Sequence, residues 1–379
     1  MSEKLRALVL GSGFASQEHT EALRYCGVEV VGMASRTESV VKEVAAKMGI
    51  PHASGNWRKS LEELKPDIVD IGTPGGAHLE MITAAAEAGC HIYCDKPLAT
   101  TAGDAKKAYH RTRDAGVKTA FAATARCNAT VILAHELVSQ GAIGEVYEAE
   151  CVSHYDWPRL MPYGWSHSLE EGGGRLNNNF PHKMGIVLKV LGGEVLDATG
   201  ESRNDLKRAP VGPRLHDFRL LQSSALTPAE ADKAEWREVT SDWAYTILAR
   251  IGPDGTKPEK GVSVTFRHSN LQPQFLHDYV AFYGREGSIH IEGAYAQGAV
   301  HLYQRGKDEW ETVPIPARIT DSLPKIESWP RRNWTQLAKE FVSDIQGNGN
   351  TGYLTFRDGW IFQEIIDIAR ARKGWSVPG

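Results

Sequence analysis

The chain has 379 residues, 41% of them hydrophobic and 24% charged, with a formal net charge of −4. That length passes the usual single-core limit, so two domains of ordinary globular composition are expected. Slight acidity without a Lys/Arg block argues against nucleic acid as a partner, and no apolar run reaches the roughly 18 residues of a membrane span. The apolar patch 7–10 is too short for a secretory leader. Cys26, Cys90, Cys94, Cys127 and Cys151 form no C-x-x-C pair and no disulfide framework, which points to a reducing cytoplasm. Cys90, His91 and Cys94 straddle an expected buried strand whose alternation turns neighbours to opposite faces, so no metal is expected there.

In chain order, residues 5–10 form an apolar strand that runs into Gly11-Ser12-Gly13-Phe14-Ala15-Ser16, and 17–25 reads as a helix. This is G-x-G-x-x-S at a strand-to-helix turn. Gly11 permits the tight turn, and Gly13 lets backbone N–H groups approach a pyrophosphate at the helix N-terminus. The second strand, 28–34, ends in Ser35-Arg36-Thr37 with no acid before Glu38. An arginine fork suits a 2′-phosphate better than a 2′-hydroxyl, which favours NADP over NAD.

Helices are expected at 40–48 and 60–64, the fourth strand at 67–74, a turn at 72–76, and a helix from His78 to Ala88. Residues 91–97 form the next strand, interrupted by Lys96-Pro97, and Thr100-Thr101 offers an N-cap to a helix at 101–115. A lysine just beyond a buried parallel strand lies where open α/β sheets bind ligands, and its partly desolvated ammonium can donate to a substrate hydroxyl. With a sixth strand at 117–123, the alternation predicts a doubly wound parallel sheet over residues 1–125.

The pattern changes after Ala125. A helix at 128–139 is followed by half-exposed strands at 146–154, 245–251, 261–268, 276–283, 288–291 and 300–303. They predict an open, mostly antiparallel sheet in a second α/β domain, 126–379, with a face to be covered by helices or another subunit. Residues 201–240 are a polar insertion without a legible role, and helices at 334–345 and 356–373 close the chain.

A second chemical stretch runs Glu170-Glu-Gly-Gly-Gly-Arg-Leu-Asn-Asn-Asn-Phe-Pro-His182. Three glycines mark a backbone needing unusual dihedrals or close approach. Asn178 or Asn179 is a candidate N-cap with Pro181 at the first helical position, which puts His182 in the first turn. There the helix dipole favours the neutral, base-competent imidazole, and Asn178 can share its face. His154-Tyr155-Asp156-Trp157, Arg159, Tyr163, Trp165 and His167 are expected to line the substrate side, since such residues stack on sugar rings and bind anionic groups.

Together these features resemble the Gfo/Idh/MocA family of nicotinamide-dependent oxidoreductases. The matching residues are Gly11-Ser-Gly13 with His19, Gly72-Thr73-Pro74 with His78, and Asp95-Lys96-Pro97, where the family usually has Glu-Lys-Pro. Arg126, Gly141-Ala-Ile-Gly144, Gly172 through His182 and Gly284-Arg-Glu-Gly287 complete the match. The resemblance implies an N-terminal Rossmann domain, NAD(P), and cofactor contacts from Thr73, Pro74, His78, Asp95, Lys96 and Arg126. It implies a sugar, inositol or related polyol as substrate, with Lys96 and His182 catalytic and Asn178 positioning. A homo-dimer or homo-tetramer built through the C-terminal sheet is expected as well.

Where the family commonly reads Asp-x-Gly-x-His, this chain has Asn178-Asn-Phe-Pro-His182. A charge is lost, and Phe180 is expected to form an apolar wall against a sugar face. The leading expectation is hydride transfer at a CH–OH carbon. One alternative is a glycosidase acting by transient oxidation, elimination and re-reduction, with Tyr155 or Tyr163 assisting. Another is a non-catalytic sugar or cofactor sensor.

Overall fold

Two sheets carry the chain. The computed structural model describes residues 4–213, 215, 220–273, 278–350, 352–372 and 374–376. In the first sheet β1 (Arg6–Leu10), β2 (Glu29–Ala34), β3 (His52–Ser54), β4 (Ile68–Ile71), β5 (His91–Cys94) and β6 (Thr119–Phe121) run parallel in the order β3-β2-β1-β4-β5-β6. Their crossovers are α1 (Phe14–Tyr25), α2 (Glu38–Met48), α3 (Trp57–Leu64), α4 (His78–Glu87) and α5 (Ala102–Asp114). Strand β4 is wholly buried and β1 nearly so, as both must be with helices on each face. The strand order reverses between them, which opens a crevice beyond their C-terminal ends, at Gly11 and Gly72.

The helix α1 starts at Phe14, three residues before its apolar periodicity suggests, because Gly13 itself serves as N-cap. Strand β3 is too short and too half-exposed to be read from its residues.

Beyond α6 (Ala129–Ser139), the second domain contains β7 (Val146–His154), α7 (Arg175–Asn178), α8 (Phe180–Leu191), β8 (Glu194–Arg203), β9 (Arg208–Pro210), α9 (Pro228–Ala231) and β10 (Trp236–Glu238). Next come β11 (Ala244–Gly252), β12 (Val262–Ser269), β13 (Tyr279–Gly284), β14 (Gly287–Glu292), β15 (Val300–Gln304) and β16 (Glu311–Thr312). The chain closes with α10 (Ala317–Ser322), α11 (Trp329–Ser343), α12 (Phe356–Ala371) and β17 (Gly374–Ser376). Of the segments expected from sequence, 276–277 and Lys373 lie outside the described residues.

The second sheet has nine strands in the order β16-β15-β14-β13-β7-β12-β11-β8-β17. It is antiparallel except where β7 lies parallel to β12, so it is mixed at its centre. The long connection after β7 supplies the crossover that a parallel pair needs. Helices α8 and α12 cover one face, with Met184, Val187 and Phe362 packed among Ile247 and Phe266.

The described residues of the insertion 201–240 form structure of their own, while 214 and 216–219 lie outside the described residues. Strands β9 and β10 pair, and Leu206, Ala209, Leu221 and Val239 bury a satellite core with Met161 and Trp243. Helix α11 returns to the first sheet. Its Leu337, Ala338 and Phe341 share a core with Ala7, Val9 and Leu23, and Arg331 makes a two-pronged ion pair with Glu18 at 2.6 and 2.8 Å.

Candidate active site

On one wall of the crevice the backbone is drawn tight. Gly11 has φ +118°, and a Cβ there would meet Ser16 Oγ at 2.3 Å and the Gly72 carbonyl oxygen at 3.0 Å. Ser16 stands where the dinucleotide signature has its third glycine. It keeps the close helix–strand contact by donating to the Gly72 carbonyl at 3.2 Å. Helix α1 has no side-chain N-cap, so its first N–H groups remain available to an anion.

Ser12 and Ser35 join through their hydroxyls at 3.0 Å, which links the glycine turn to the end of β2. Arg36 is exposed with no partner among the described residues, while Glu38, the nearest acid, pairs with Lys42 at 2.7 Å. His78 is fully buried, its Nε2 2.7 Å from the Thr73 carbonyl and its Nδ1 2.8 Å from the Pro97 carbonyl. The ring thus clamps the 72–74 turn to the Lys96-Pro97 turn. Asp95 is buried, and its Oδ1 has no partner among the described residues. A buried acceptor of this kind calls for a donor such as a ribose hydroxyl. With the Gly11 cradle, it makes the crevice fit a dinucleotide.

Across the crevice, Lys96 Nζ donates to Asn178 Oδ1 at 3.2 Å. The Asn178 amide nitrogen donates to the Gly174 and Gly172 carbonyls at 2.8 and 3.4 Å, so its oxygen must face the lysine. One turn on, His182 Nδ1 accepts from the Ala125 N–H at 3.4 Å. Burial, with the Lys96 ammonium adding to it, pushes the His182 pKa down to about 3. Amine, amide and imidazole from three segments thus come together, as the sequence suggests.

The helix entry differs from expectation. Asn179 is the N-cap of α8 through its backbone alone, and Pro181 falls at the second helical position. The Asn179 side chain instead donates to Tyr295 Oη at 3.0 Å and accepts from the Tyr245 hydroxyl. Tyr295 in turn stands edge-on to the His182 ring at 5.4 Å. Tyr295 was not legible because it lies more than a hundred residues downstream with no local motif.

Phe180 is also corrected. It is 0% exposed and packs on Tyr245, Phe266 and Phe362, so it belongs to the core and not to a substrate wall. The C-terminal sheet supplies an apolar surface that attracts the ring inward.

The segment expected to line the substrate side divides. Tyr155 lies 5.5 Å from His268, and burial drives its hydroxyl above the ordinary tyrosine range. His154 donates its N–H to Asp278 at 2.7 Å. Trp157 lies 4.8 Å beneath the Arg175 guanidinium. Asp156 and Arg159 are exposed, and Trp165 is half-buried in a 3-10 turn. Tyr163 and His167 stack at 5.5 Å, and His167, fully buried, also packs on Trp243 in the satellite core. Arg126 borders a separate cleft of about 480 Å³ formed with Leu188, Tyr353, Leu354 and Asp358.

Sequence reasoning also missed a buried polar chain under the site. Lys183, fully buried, donates to Ser153 Oγ at 2.6 Å, and Ser153 meets His268 Nδ1 at 2.7 Å. Burial lowers the Lys183 pKa to about 8. A lysine at the next position to His182 is the only local signal for this chain.

Residues 5–123 match the model of an oxidoreductase family with an NAD-binding Rossmann fold, and residues 131–290 match the GFO/IDH/MocA C-terminal domain. Over 204 residues the chain is 27% identical to levoglucosan dehydrogenase of Pseudarthrobacter phenanthrenivorans, covering 50% of this chain and 52% of that protein. Over 199 residues it is 28% identical to D-glucoside 3-dehydrogenase of Escherichia coli, covering 50% and 55%. The match thus spans about half the length of these relatives. With scyllo-inositol 2-dehydrogenase (NAD(+)) of Bacillus subtilis it shares 26% over 263 residues, 68% of this chain and 74% of that one. The fold superimposes on levoglucosan dehydrogenase in complex with NADH and levoglucosan with a TM-score of 0.81 at 20% identity, covering 100% of both chains. Among the described residues no helix is long and apolar enough to cross a membrane.

Proposed function

Because the chain belongs to the Gfo/Idh/MocA oxidoreductase family, we propose that it moves hydride between a nicotinamide cofactor and the carbinol or carbonyl carbon of a sugar, inositol or related polyol. The observation that carries this reading is the 3.2 Å contact between Lys96 and Asn178, which brings the amine of one domain onto the helix pair that presents His182. A nicotinamide bound beside Asp95 supplies the hydride chemistry. Gly11, Ser12, Gly13, Phe14 and Ala15 hold the pyrophosphate, and Ser35, Arg36 and Thr37 face the adenosine ribose. Asp95 takes a ribose hydroxyl.

Lys96 donates to the reacting oxygen and stabilises negative charge as it develops there, while Asn178 holds the ammonium in place. His182 exchanges the proton of the same oxygen. In the resting ring Nδ1 accepts from Ala125, so the neutral imidazole carries its proton on Nε2. To take a hydroxyl proton on Nε2, the ring first loses its Nε2 proton to solvent and gains one from solvent on Nδ1, giving up that long contact.

NADP is the preferred cofactor in this reading, supported by an Arg36 without a partner among the described residues and a Glu38 engaged with Lys42. All five cysteines are free thiols, which agrees with a cytoplasmic location. The domain boundary falls near residue 125. The outer face of the second sheet, where Leu248 and Trp310 are half-exposed or more, is the surface for a homo-oligomer.

The test is turnover of NAD and NADP against a panel of free sugars and glycosides, following reduced cofactor and released products together. Lys96→Ala is expected to lower kcat by roughly 10³-fold while cofactor binding, read by fluorescence, survives. Loss of both would make Lys96 structural and remove the proposed chemistry.

A further inference from the structure

Arg175 opens α7 directly after the three glycines and is only 8% exposed, yet among the described residues no carboxylate pairs with it. Asp242, close by, is engaged by Arg370 at 2.8 and 3.1 Å and gives Arg175 only a main-chain oxygen, which accepts the Arg175 N–H at 3.0 Å. His268 does not answer it either. Lys183 donates to Ser153, so the Ser153 hydroxyl donates onward to His268 Nδ1 at 2.7 Å. That leaves His268 Nε2 protonated and donating to Asn270 Oδ1 at 2.7 Å. Arg175 Nε faces this same nitrogen from 3.4 Å, where a nitrogen already donating has nothing to accept with. The two terminal guanidinium nitrogens have no acceptor among the described residues.

A buried cation without a counter-charge is costly, and a bound anion removes the cost. The cation stands beside the reacting groups. Asn178, bonded to Lys96, lies three residues along the same short helix, and the field of Arg175 contributes to the lowered pKa of His182. Trp157 supports the guanidinium from one face at 4.8 Å, which fixes its plane. Lys96 is met by the neutral Asn178 amide, which adds no negative charge, and the carboxylate whose field reaches His182 is Asp95.

We propose that Arg175 is a specificity residue for a carboxylate on the substrate, so that the compound oxidised or reduced is a sugar acid, such as a uronic or aldonic acid or a glycoside of one. A planar fork whose two terminal nitrogens lack an acceptor among the described residues matches the two oxygens of a carboxylate. This inference rests on the hydride-transfer reading.

The experiment compares matched pairs, each a neutral sugar and its carboxylate counterpart, in wild type, Arg175→Met and Arg175→Lys. It reads kcat/KM with NAD and NADP, and the thermal shift caused by each compound. Wild type is expected to prefer the acid by roughly tenfold or more, mainly through KM. That ratio is expected to collapse in Arg175→Met and to return in part in Arg175→Lys, which also controls for folding. An acid that neither reacts faster than its neutral counterpart nor shifts the melting of wild type overturns the inference while leaving sugar oxidation intact. A ratio equal in wild type and Arg175→Met does the same. Arg175-dependent melting shifts by acids without turnover of any compound would sustain the anion site and remove the dehydrogenase reading.

Discussion

Around Gly11 the chain is pressed against Ser16 and Gly72 of its own sheet, whereas around Gly172 it is pressed against the opposite domain. A Cβ on Gly172, at φ +88°, would lie 2.9 Å from the backbone of Gly75, and one on Gly76 would lie 2.4 Å from the Glu170 carbonyl oxygen. Both stretches use glycine to let main chains touch. The first shapes a nest within one domain, and the second sets the spacing between two. The polar groups behind them differ in the same sense. Behind Gly11 the fully buried His19 and Asp70 close on each other at 2.8 Å, so the buried basic group has a carboxylate against it. Behind Gly172 neither Arg175 nor Lys183 pairs with a carboxylate among the described residues.

The largest test of this contrast is a pair of alanine substitutions. Each introduces strain of about 1–3 kcal/mol in addition to the contact it forces apart. Gly11→Ala is expected to weaken cofactor binding by tenfold or more (roughly the factor that 1.4 kcal/mol represents), as read by fluorescence titration. Gly172→Ala is expected to leave that titration nearly unchanged and to lower kcat, because it displaces Asn178 from Lys96. If both variants fail in the same measurement, the two stretches do not have separate tasks.

Asp70→Ala breaks a closed buried pair and leaves His19 without its carboxylate. The expected loss of unfolding free energy is on the order of 3 kcal/mol, measured by denaturant titration. A loss under 1 kcal/mol would mean that the pair is not what closes the cofactor side.

The smallest effect concerns Lys183, whose pKa burial lowers from 10.5 to about 8. Between those values the unfolded chain holds the proton more tightly than the folded one, so stability rises as pH climbs from 8 toward 10.5. Lys183→Met is expected to flatten that rise. A slope unchanged by the substitution would show that another group titrates there.

Much of this was legible from residues alone. The glycine turn, Lys96 beyond β5 and His182 at the start of α8 were all placed by local chemistry, because tight turns, parallel-strand ends and helix starts each impose their own residue types. Strand β3 and the first turn of α1 were not, since neither carries a periodic signal of its own. Tyr163 and His167 look like sugar-binding residues in a list and are satellite core in space, because the 201–240 insertion, silent in sequence, folds over them. Phe180 moved for the same reason, its ring drawn into a core contributed by strands far along the chain.

What the order of residues determined by itself was the alternation that builds the first sheet and the places of Lys96, Asn178 and His182 at a strand end and a helix start. Turn chemistry and strand periodicity are local, so they need no knowledge of the rest of the chain. Only the tertiary structure decided which buried charges are answered and which are not. Whether Arg175 has a partner depends on Asp242, His268 and Asn270, all distant in sequence, and on the direction in which a shared row of hydrogen bonds must run.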